Sequence, residues 1–92
     1  LTWLGLSEQK FLDDARAAAE NHFISSNAQI PPEERAMYGY DDVLALTISD
    51  ETINMANLQP FLDTDGRLAA AMPIASMAGP VYVNEIVYLY ED

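Results

Sequence analysis

Residues 61–68 read FLDTDGRL, and the fold turns on how the central Asp63-Thr64-Asp65-Gly66 is read. A calcium loop of the EF-hand type would place a helix on either side. A tight turn would join two strands. The EF-hand loop takes ligands at positions 1, 3, 5 and 12, with glycine at 6. Setting Asp63, Asp65 and Gly66 at positions 3, 5 and 6 puts Phe61 first and Met72 twelfth, so two ligands are apolar. Pro60 and Pro73 also interrupt the helices that such a loop requires. A type I turn followed by a left-handed residue suits the same residues better. Asp63 can bond back onto its own turn and Gly66 supplies the positive φ. The stretch therefore reads as a hairpin, with Leu62 and Leu68 brought together across it.

Outward from this turn, the C-terminal segment PVYVNEIVYLY is the clearest strand, being dominated by Val, Ile and Tyr. Both alternating faces are largely apolar. Val81, Val83, Val87 and Leu89 form one; Tyr82, Ile86, Tyr88 and Tyr90 form the other. Such a strand is expected to be central in a sheet or covered on its second side. Arg67 to Pro80 is rich in Ala, Met and Pro and has no clean period.

Towards the N-terminus, residues 7–23 form an amphipathic helix. Ser7 suits the N-cap and Glu8 the first turn. Phe11, Ala15, Ala18 and His22 share one face, flanked by Leu12, Ala19 and Phe23, while Asp13, Asp14, Arg16, Ala17, Glu20 and Asn21 take the other. Lys10–Asp14 and Arg16–Glu20 have the spacing of helical ion pairs. Between residues 24 and 42 much irregular structure is expected. It is broken by a short helix with Pro32 at its first position, ending near Tyr38-Gly39. Val43 to Ile48 reads as either strand or helix. Ser49-Asp50-Glu51 suggests a further helical turn through about Leu58, stopped by Pro60. The fold class expected is α+β, with one amphipathic N-terminal helix packed on a small, mostly antiparallel sheet that has a C-terminal strand.

Ninety-two residues fit a single domain, residues 1–92. Cysteine is absent, so neither a disulfide nor a thiolate metal site can staple so small a core. Fifteen carboxylates face four basic residues, for a net charge of -11. Eight acids fall in residues 1–46 and seven in 47–92, so the charge is not an acidic tail. That balance opposes direct binding of nucleic acid, which needs clustered Lys and Arg, and opposes adsorption to anionic membranes. It favours solubility and encounter with a basic partner. No apolar run reaches the roughly 20 residues that span a bilayer. The chain opens on Leu1-Thr2-Trp3 without signal-peptide character, the expectation being a processed or shortened form.

Chemistry has few parts here. The single histidine, His22, lies on the apolar stripe and reads as a core or boundary residue. No serine sits in a nucleophile elbow, and four scattered glycines make no phosphate loop. The acidic doublets Asp13-Asp14, Glu33-Glu34, Asp41-Asp42, Asp50-Glu51 and Glu91-Asp92 point adjacent carboxylates apart. No catalytic residue, metal ligand or cofactor site is expected. The expectation is a non-enzymatic, acidic protein-interaction module, a subunit of a larger assembly whose partner offers a basic or apolar surface. The alternative is an acidic inhibitor or nucleic-acid mimic that blocks a basic site. Trp3, Tyr38, Tyr40, Tyr82, Tyr88 and Tyr90 are the contact candidates, because Tyr and Trp are enriched where proteins meet.

Overall fold

The computed structural model describes residues 8–90. The N-terminal helix α1 runs Glu8–Ser26, and its expected cap, Ser7, lies outside the described residues. Helix α2 is Pro32–Arg35, with Pro32 in the first turn, and α3 is Tyr40–Thr47. A 3-10 turn over Met55–Asn57 leads into β1 (Gln59–Leu62), β2 (Leu68–Ala78) and β3 (Val81–Tyr90). The strands form an antiparallel sheet in the order β1-β2-β3. The expected α+β class is what the chain adopts: the N-terminal helix packs on a sheet that carries the C-terminal strand.

The stretch FLDTDGRL makes the hairpin. Leu62 pairs with Leu68. The Gly66 N–H donates to the Asp63 carbonyl at 3.0 Å, and the Asp63 N–H donates to the Arg67 carbonyl at 3.0 Å. Gly66 stands at φ 77°, the left-handed region that a side chain resists. The Asp63 carboxylate accepts from the N–H groups of Asp65 (2.9 Å) and Arg67 (2.8 Å). Its role is to close the turn.

The buried stripe of α1 is Phe11, Ala15, Ala19 and Phe23, with Ala18 and His22 at its margin rather than its centre. The alanines let the helix approach the sheet closely. Phe11, Ala15 and Ala19 meet Ala70, Met72 and Ile74 of β2, Val87 and Leu89 of β3, and Ile53 and Leu58 from the connection. A second cluster joins Phe23, Ile30, Tyr40, Val43 and Met77, with the Phe23 and Tyr40 rings edge-on at 5.0 Å. Asn27 ends α1 by donating its side-chain amide to the Phe23 carbonyl at 2.9 Å. Lys10 meets Asp14 at 2.9 Å as its spacing predicts. Arg16 does not follow its expected pairing with Glu20. It reaches across the fold to the Ile48 carbonyl (2.9 Å) and Asp50 (2.6 Å), tying α1 to the turn after α3.

Three segments that the sequence leaves open, or reads only in part, are decided by the fold. Val43 to Ile48 is helical through Thr47, so the β-branched residues do not decide it. Pro60 does not merely stop a helical turn; it lies inside β1, at the sheet edge where a missing N–H costs little. The aperiodic Ala-, Met- and Pro-rich segment is β2, the central strand. Pro73 is tolerated there because β1 ends opposite Ala71. Beyond that point α3 lies along β2, and the Thr47 hydroxyl donates to the Ala75 carbonyl.

The C-terminal strand is not central, as its two apolar faces suggest, but stands at the sheet edge. Its inner face packs beneath α1. Its outer face is uncovered among the described residues, although that face is apolar.

Candidate functional site

Strand alternation decides which side chains share the outer face. In the register of the sheet these are Phe61 of β1, Ala69, Ala71, Pro73, Ala75 and Met77 of β2, and Tyr82, Asn84, Ile86, Tyr88 and Tyr90 of β3; Met77, opposite Tyr82, is buried in the second cluster at the turn end. The central strand presents mostly small residues there, leaving a low floor beside the large side chains of β3. The rings of Phe61 and Tyr88 meet across that floor, edge-on at 5.9 Å. Arg67 lays its guanidinium over the Tyr90 ring at 5.2 Å, a cation–π arrangement. Tyr82 is 68% exposed, Ile86 and Tyr88 54% each, and Tyr90 46%. Single exposed apolar residues are ordinary, but Ile86, Tyr88 and Tyr90 follow one another on one strand face, with Tyr82 beyond Asn84.

At the turn end the face is bounded by α3. A groove of about 400 Å³ opens there between Asp42, Val43 and Leu46 of α3 and Ala75, Tyr82, Val83 and Asn84 of the sheet. Tyr82 leans towards the start of α3, its hydroxyl 3.4 Å from where a Cβ on Gly39 would stand. Leu46 is exposed at the rim and Asp42 supplies the one carboxylate of the lining.

The six contact candidates separate in space. Tyr82, Tyr88 and Tyr90 lie together on the outer face. Tyr40 is buried in the second cluster, with the Arg35 guanidinium 5.0 Å from its ring, so it presents no surface for contact. Tyr38 is half-buried on the turn between α2 and α3 and donates to the Glu34 carboxylate at 3.2 Å. The neighbouring Glu34 charge raises the Tyr38 pKa above the ordinary tyrosine value, with burial and that hydrogen bond adding to it. Trp3 lies outside the described residues. Sequence reasoning put Ile86 on the face of the tyrosines but not among the contact candidates, and it missed half-buried Phe61 and exposed Leu46. For Ile86 the signal was present, since it alternates in phase with the tyrosines. For Phe61 and Leu46 it was not.

His22 sits at the margin of α1, half-buried, with its Nε2 against the Glu85 carboxylate on the inner face of β3. This contact accounts for an acid on the covered side of the strand. Among the described residues, no three His, Asp or Glu side chains converge as metal ligands would, and no helix is long and apolar enough to cross a membrane. Compared with known proteins, the chain matches no family model, no curated protein and no solved structure.

Proposed function

We propose that the protein is a non-enzymatic interaction module, most simply an acidic subunit of a larger assembly, whose outer sheet face receives a partner protein. One observation carries this reading: the exposed row of Tyr82, Ile86, Tyr88 and Tyr90 on a regular strand. Tyrosines combine large contact area with few rotatable bonds, and an uncovered apolar patch of this kind marks docking surfaces. Ile86→Asp combined with Tyr88→Ser tests it. Both positions are exposed, but Tyr88→Ser removes the edge-on contact with Phe61, so the variant is expected to lose about 1–2 kcal/mol and its fold is checked by circular dichroism before capture. Affinity capture from a native extract should recover a partner with the parent chain and lose it with the variant. Identical recovery by both chains rejects the outer face as the docking surface.

The net charge of -11 favours a second reading, an acidic inhibitor or nucleic-acid mimic on a basic site. Salt separates the two. A mimic's affinity falls steeply as ionic strength rises, whereas apolar docking changes little.

A further inference from the structure

The outer face and the edge of β3, which is unpaired among the described residues, belong to the same residues. The β2–β3 hairpin closes through two residues, Gly79 and Pro80, with Ala78 paired to Val81. Gly79 stands at φ 62°, while the proline ring holds Pro80 at negative φ, the pattern of a II′ turn. In such a hairpin the closing pair is hydrogen-bonded, and bonding then alternates along the strand. Val81, Val83, Glu85, Val87 and Leu89 therefore turn their backbone groups to β2. Tyr82, Asn84, Ile86, Tyr88 and Tyr90 turn theirs outward. The Ala75 carbonyl, which points away from β3 to meet Thr47, agrees with this phase.

Proteins ordinarily guard such an edge with proline, charge, bulges or a short strand. β3 is ten residues long and contains no proline. It is paired residue for residue with β2 from Val81 to Tyr90. Its one charged side chain, Glu85, is engaged by His22 and faces inward. The exposed aromatic side chains and the unguarded backbone thus lie on one strand, and a single kind of occupant would cover both.

We infer that an extended, lysine- or arginine-bearing segment of a partner protein adds to the outer edge of β3 as a fourth strand, its alternate side chains lying beside Tyr82, Ile86 and Tyr88. Charge selects this occupant over a second copy of the chain, since each copy carries a net charge of -11. Main-chain bonds supply the affinity of strand addition, and alternate side chains supply its selectivity. The inference rests on the outer-face docking proposed above and names its mode.

The test uses a displayed library of random twelve-residue peptides, selected on the full chain. A leading peptide is then synthesised with and without N-methylation of alternate amides. Enriched sequences should alternate Lys or Arg with apolar residues. N-methylation in one register should weaken binding more than tenfold. Residue-resolved hydrogen exchange is the sharper readout. In the free protein the Tyr82, Asn84, Ile86, Tyr88 and Tyr90 amides should exchange fast beside protected Val83, Glu85, Val87 and Leu89 amides. Peptide at 100 times its Kd should slow the first set about 100-fold.

Peptides whose binding depends on Ile86 and Tyr88 but leaves those amides unprotected overturn strand addition while outer-face docking stands. Failure to enrich any peptide that depends on Ile86 and Tyr88 counts against both. Protection of the same amides in the free monomer means that the chain already fills its own edge. A dimer with those amides protected assigns the edge to a second copy. Either result rejects the basic partner.

Discussion

At Gly66 the backbone holds φ 77° in open space, with nothing within 4 Å of where a Cβ would stand. A side chain there meets no neighbour, so its cost is conformational alone. Gly66→Ala should lower stability by about 1–2 kcal/mol in urea unfolding, the difference between glycine and alanine in the left-handed region. Asp63→Ala removes the acceptor of two backbone N–H groups and should cost about 1–2 kcal/mol in the same measurement. Tyr38 allows a test of charge at a single group. Above the ordinary tyrosine range the unfolded chain loses its phenolic proton first, so the folded state binds more protons and stability falls as pH rises through that window. In ultraviolet titration of tyrosinate formation, Glu34→Gln should bring the Tyr38 step down in pH. An unmoved step would show that the Glu34 carboxylate does not set it.

Among the elements, α1 and β3 were legible and β2 and α3 were not. The stripe of α1 repeats every four residues, and the Val, Ile and Tyr of β3 suit no other local state. β2 is written in alanine and methionine, which favour helix, and is interrupted by Pro73. Its extended form is decided by its neighbours: β1 on one side for its first residues, β3 along its whole length, and α3 beyond the end of β1. The Thr47 hydroxyl, its single proton shared between the Val43 and Ala75 carbonyls, makes a polar bond between α3 and that strand. Thr47→Val keeps the shape and deletes the donor. It should destabilise the fold by about 1–3 kcal/mol, read from the urea midpoint at unchanged slope, because the Ala75 carbonyl is left without that partner. The helix–sheet contact at Ala15, fully buried, should resist enlargement. Ala15→Leu is expected to cost about 1–3 kcal/mol or more through overpacking.

For the whole molecule, a net charge of -11 is carried on a body only 26 and 18 Å across its two shorter dimensions. At about 10 mM salt the screening length is about 30 Å, so carboxylates on opposite sides repel one another; near 0.15 M it is about 8 Å. The urea midpoint should therefore rise between these two salt concentrations, and a flat response would show that the acids are already balanced locally. The same charge bears on the candidate site only through partner choice. Its location comes from packing. The sequence by itself determined the acidic balance, the amphipathic helix, the Asp63–Gly66 turn and the two-sided apolar strand, because each follows from composition or from residues within a few positions of one another. Tertiary structure alone decided that Tyr40 is buried while Tyr82 and Tyr88 are exposed, that Arg16 meets Asp50, and that β3 lies at the edge. Those outcomes depend on which distant segment covers each residue. Local pattern carries the apolarity of a face but not the identity of its cover.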